Sequence, residues 1–83
     1  MKTIRVKNIW LNDSGDVSII LLAPIDTTRT LRNDLFWYSG DECPDWQRGQ
    51  ELSDKEVLAT HCYKQRKMQS VEDDIPDDCY MAL

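Results

Sequence analysis

Eighty-three residues, 41% hydrophobic and 30% charged, with three Gly and three Pro, suffice for one domain around a single core and are too few for two. Ten Lys and Arg oppose fifteen Asp and Glu, a net charge of −5 whose field repels bulk nucleic acid and anionic membranes. No apolar run approaches the roughly 18–20 residues of a membrane span. The segment Met1–Lys7 carries too many charges to supply a signal peptide's apolar region, so the expectation is a cytoplasmic protein with residues 1–83 as one globular domain.

The first strand is read from Ile4, Val6 and Trp10 alternating with Arg5, Lys7 and Ile9, a period of two. A second runs from Val17 through Leu22. Between them Asn12-Asp13-Ser14-Gly15-Asp16 is rich in residues that make side-chain turns or tolerate positive φ, which predicts an antiparallel hairpin. Val17–Leu22 is apolar on both faces, so it should be a central strand covered on each side, and it should end at Pro24, which cannot donate to a ladder.

Residues 27–39 allow two readings. Thr27–Arg32 and Leu35–Ser39 around Asn33-Asp34 fit a second hairpin of threonines and aromatics. Leu31, Leu35 and Tyr38 also sit at helical spacing, with Gly40 as terminator; strands are preferred. Gly40 to Glu51 has no periodicity and reads as a loop, with Trp46 anchoring it to the body. Loops of this length are uncommon without a role.

Ser53-Asp54-Lys55-Glu56 is a capping box, and Leu52 and Val57 occupy the positions of a hydrophobic staple. With Lys64, Arg66 and Lys67 favouring a negative helix end, one helix is predicted over about 53–68. Its face of Leu58, His61, Cys62 and Gln65 would lie on the sheet. Residues 70–78 read as an acidic connector broken by Pro76, and the apolar end 79–83 as an edge strand or a docked segment. The fold class expected is α+β: a mainly antiparallel sheet of three to five strands with that helix packed on one face.

Cys43, Cys62 and Cys79 are odd in number, which does not suggest a disulfide framework, and they should be reduced thiols. Together with His61 they are spaced 18, 1 and 17 residues apart, unlike the paired ligands of zinc sites. His61 and Cys62 would be neighbours on the predicted helix and point apart, so no base is aimed at a nucleophile, and no glycine-rich phosphate loop occurs. The acidic run Glu72–Asp78 lacks the alternating ligands and central Gly of a calcium loop. The expectation is therefore no metal, no cofactor and no enzymatic activity.

Charge is the remaining clue. Residues 1–40 carry net +1 and residues 41–67 net −1, whereas 68–83 carry five carboxylates and no Lys or Arg. Several acids on a small rigid body can occupy a basic groove built for phosphates. In size and acidity the chain resembles the counter-defence and takeover proteins that phages encode, which implies an inhibitor or regulator. The expected partner is a protein with a basic surface, met by Asp41, Glu42, Asp45 and Glu51 and by Glu72, Asp73, Asp74, Asp77 and Asp78, with nucleic-acid mimicry as one mode of action. Asp13 and Asp16, in the hairpin turn, are expected to matter less. One alternative is a small β module binding nucleic acid directly through Lys2, Arg5, Lys7, Arg29, Arg32 and aromatics such as Trp37, which the net negative charge disfavours. Another is a structural subunit or homodimer in which the central strand or residues 79–83 pair with a second copy.

Overall fold

The computed structural model of the chain describes residues 2–25, 34–67 and 75–81. Six strands form a single antiparallel sheet: β1 (Ile4–Asn12), β2 (Val17–Pro24), β3 (Asp34–Ser39), β4 (Glu51–Leu52), β5 (Lys64–Lys67) and β6 (Cys79–Met81). Their order is β4-β1-β2-β3-β5, with β6 also pairing β1. β4 holds the start of β1 through Ile4–Leu52 and Arg5–Glu51, and β6 holds its end through Trp10–Met81, Leu11–Tyr80 and Asn12–Cys79. The expected hairpin is thus present, and β2 is the central strand of the sheet, buried from Ser18 to Ala23.

The β1–β2 turn follows from its residues. Gly15 takes φ +76°, in the left-handed region that costs glycine nothing. The Gly15 amide donates to the Asn12 carbonyl at 3.1 Å, and the Asn12 side-chain oxygen accepts from the Val17 amide at 3.2 Å. Beyond the turn, Leu11 lies opposite Ser18, Ile9 opposite Ile20 and Val6 opposite Leu22. The pairing slips by one residue between Val6 and Asn8, a β-bulge at Lys7.

The bulge corrects the period-two reading of β1. Val6 lies on the face with Ile20, Leu22, Phe36, Tyr38 and Leu52, against which Ile4 and Ile9 also pack. Trp10 lies on the other, with Ile19, Leu21, Leu35 and Trp37. Strict alternation would have put Val6 and Trp10 on one face; the extra residue inverts the pattern and turns Ile9 toward Val6 instead. We call these the first and second faces. Cys43, Trp46, Val57 and Cys62 cover the first, and Ile75 and Cys79 pack on the second.

The predicted helix over 53–68 is overturned beyond its start, and the expected α+β fold with three to five strands is instead a mostly β sheet of six described strands with one short helix. Helix α1 spans only Asp54–Leu58, and Lys64–Lys67 is an edge strand against β3. The helix start is as the sequence requires. The Glu56 amide donates to Ser53 Oγ at 3.4 Å and the Ser53 amide donates to Glu56 Oε2 at 2.6 Å. Leu52 is fully buried, with Val57 packed in the same cluster. Termination comes at Thr60, whose amide and hydroxyl both donate to the Val57 carbonyl, at 3.1 and 2.6 Å. The predicted stripe is no core face: Leu58 is 82% exposed, and His61 and Gln65 are exposed as well. Four consecutive buried residues on β3, Leu35–Tyr38, need a hydrogen-bonding neighbour on their outer edge, and β5 supplies it. The helical alternative fails for its described part, since Asp34–Ser39 is a strand paired with β2 along its length and with β5 from Asp34 to Trp37; Leu31 lies outside the described residues. The first arm of the second hairpin, Thr27–Arg32, lies outside the described residues, as do 70–74 of the acidic connector.

Candidate acidic docking site

One end of the sheet collects carboxylates from three separate segments. β1 ends and β2 begins there, placing Asp13 and Asp16 in the turn between them. β3 ends there too: Val17 is opposite Ser39, and the Gly40 amide donates to the Asp16 carbonyl at 2.7 Å. Asp41 and Glu42 follow directly, in a turn closed by the Glu42 amide on the Ser39 carbonyl at 3.0 Å. β6 begins at the same end, with Cys79 opposite Asn12, so Asp77 and Asp78 complete the group. All six side chains are exposed, and residues 8–25, 34–47 and 75–81 contain no Lys or Arg.

Close packing makes this approach tight. A Cβ on Gly40 would stand 3.1 Å from the Gly15 carbonyl oxygen, closer than most side chains are found, so glycine lets the two turns meet. The Cys79 thiol registers the field: burial pushes its pKa up, and the negative charges of Asp78 and Asp13 push it further. That thiol is a poor nucleophile at neutral pH, because the thiolate is the reactive form.

The expected site residues divide. Asp41 and Glu42, after β3, and Asp77 and Asp78, before β6, lie at the same end of the sheet, on either side of the β1–β2 turn. Asp45 stands just beyond them, exposed, on the loop that crosses the first face. Glu51 is elsewhere: it pairs with Arg5 at 3.0 Å toward the opposite end of the sheet, where Lys2 also pairs with Glu56 at 2.6 Å. Glu72, Asp73 and Asp74 lie outside the described residues. Asp13 and Asp16, set aside in the sequence as turn residues, sit within the group; only the strand register brings them there.

A groove of about 600 Å³ opens beside this end. Ile9, Leu11, Ser18 and Ile20 form its floor on the first face, and the segment Cys43–Arg48 forms its wall. Trp46 anchors the wall, as the sequence suggested, its ring edge-on to Tyr38 at 6.3 Å and 87°. Tyr38 donates or accepts a hydrogen bond with Thr60 Oγ1 at 2.8 Å, and burial raises its pKa. Cys43 and Cys62 are half-buried on the same face, and no cluster of three or more His, Cys, Asp or Glu suited to a metal ion occurs among the described residues. No described helix is long and apolar enough to cross a membrane. Comparison with known proteins finds no matching family model, curated protein or solved structure.

Proposed function

We propose that the chain is a non-catalytic binding protein that docks its acidic end on a basic surface of a protein partner, as an inhibitor or regulator competing with phosphates for that surface. The observation that carries this reading is the placement of Asp13, Asp16, Asp41, Glu42, Asp77 and Asp78, from three segments, at one end of the sheet, with no ion pair to any of them among the described residues. Like charges at one end of a small domain repel, so the arrangement opposes folding and is favourable only against opposite charge. Such a surface steers association and fixes orientation more than it adds affinity.

The two alternatives have less support. Phe36, Trp37 and Tyr38 are all buried and offer no ring faces for base stacking. Lys64 Nζ stands 4.7 Å over the Trp37 ring, which occupies that face from within the chain. For the structural-subunit reading, β2 is paired on both sides and residues 79–81 already pair with β1.

The test immobilises the wild-type protein and a variant with Asp13, Asp16, Asp41, Glu42, Asp77 and Asp78 changed to Lys, and exposes both to extract from the native host at two salt concentrations. A partner held by the wild type at low salt, released at high salt and not held by the variant is the expected result. Retention that ignores both salt and charge reversal overturns the reading.

A further inference from the structure

We infer that the groove beside the acidic end belongs to the same docking site, and that the apolar part of its floor, Ile9, Leu11 and Ile20, receives a large apolar side chain from a segment of the partner whose flanking Lys or Arg residues meet the carboxylates. This rests on the reading above that the acidic end faces a basic protein. The groove exists because the first face is covered unevenly. Leu11, Ser18 and Tyr38 lie in one row across β1, β2 and β3. Trp46 closes the row over Tyr38, but Ser18 is too small to fill the space between, and Leu11 and Ile9 are left half-exposed.

Position ties the groove to the charges. Leu11 and Ser18 are the last floor pair before the turn that holds Asp13 and Asp16, and Asp45 is on the wall. Arg48 is the one cation lining it, and its Nη1 is turned toward Met81 Sδ at 3.7 Å, on the β6 side. A ligand lying along the groove therefore meets carboxylates as it leaves over the turns. The two halves do different work: exposed charges raise the rate of encounter and are screened by salt, whereas an anchor in a desolvated pocket slows dissociation. At about 600 Å³ and open to solvent along one side, the groove has room for one large side chain.

The experiment titrates the full chain, labelled with ¹⁵N, with three synthetic heptapeptides: Lys-Lys-Gly-Trp-Gly-Lys-Lys, the same peptide with Ala for Trp, and the same peptide with Glu for every Lys. The expected result is that the Trp peptide binds tighter than the Ala peptide by on the order of tenfold or more, moving the amide signals of Leu11, Ser18 and Trp46, and that the Glu peptide does not bind. Leu11→Gln should reduce the Trp peptide to the affinity of the Ala peptide and leave the latter unchanged. Ser18→Leu, which fills the groove, should do the same if Leu11→Gln disturbs folding. Equal binding of the Trp and Ala peptides overturns the groove and leaves the acidic end standing. Binding of the Glu peptide as tightly as the Trp peptide also overturns it, because the groove would then select no charge. Failure of both basic peptides to bind at millimolar concentration removes this inference and the acidic end together.

Discussion

Lys7 is a single inserted residue that decides which core each side chain of β1 enters. On one side of it Ile4 and Val6 reach the first face; on the other, Ile9 and Leu11 do, while Trp10 fills the second. Its own side chain is exposed, so its identity matters little and its presence matters a great deal. Lys7→Ala should change stability by less than about 0.5 kcal/mol. Deleting Lys7 restores strict alternation and must turn one half of the strand over, taking either Val6 or Trp10 out of its core. Loss of one such side chain costs about 2–5 kcal/mol, a large share of what a domain this size possesses. Urea unfolding of the two variants checks this; a deletion variant as stable as Lys7→Ala would show that the bulge can migrate along β1. Nothing in the order of apolar residues announces such an insertion, because Ile4, Val6, Ile9 and Trp10 can be read equally well as a regular strand with one apolar residue facing out.

Among the elements, the legible ones are those whose signals are local. The β1–β2 hairpin follows from two β-prone runs around Asn12–Asp16, β2 from its apolar character on both sides, and the start of α1 from Ser53, Glu56, Leu52 and Val57. β5 follows from none of these. Lys64-Gln65-Arg66-Lys67 has the composition of a helix end, and it is a strand because β3 offers it an edge, a long-range cause that overrides propensity. Charged residues suit an edge strand, where Lys and Arg discourage pairing with other chains. The short α1 therefore depends on its cap and staple. Ser53→Ala should cost about 1 kcal/mol, read as a lower midpoint in thermal or urea unfolding. Glu56 adds a pH dependence: the Lys2 ammonium, first, and the Ser53 amide hold its carboxyl below the ordinary value of 4.5. Its contribution is complete above that value and is lost as pH falls through the depressed one. Stability measured from pH 6 downward should fall less steeply in Glu56→Gln than in wild type; identical acid limbs would remove Glu56 from the account.

At the scale of the whole molecule, the described acids divide between the two ends of the sheet, and topology, not sequence distance, sets Asp13 and Asp16 at the same end as Asp41, Glu42, Asp77 and Asp78. Acids near the other end are neutralised: Glu56 by Lys2 and Glu51 by Arg5. The acidic end has no such partners among the described residues, and this has a consequence that needs no binding partner to observe. The molecule is 37 Å in its longest extent, so at about 10 mM ionic strength, where the screening length is roughly 30 Å, each of these carboxylates feels the others; at about 150 mM, where it is roughly 8 Å, most of that repulsion is gone. The unfolded chain spreads the same charges apart. Raising salt should therefore stabilise the fold, opposite to the effect on a protein held together by surface ion pairs. Changing Asp13, Asp16, Asp41, Asp77 and Asp78 to Asn and Glu42 to Gln should raise the thermal midpoint at low salt and flatten its dependence on salt. The same number of neutralising changes made at Glu51, Asp54 and Glu56 together with Lys2, Arg5 and Lys55 should leave the salt slope in place. Thermal unfolding at a series of sodium chloride concentrations for the three proteins measures this directly. A wild-type midpoint that falls as salt is added would mean that attraction outweighs repulsion in the folded chain, and that the acidic end is not the dominant electrostatic feature of the molecule.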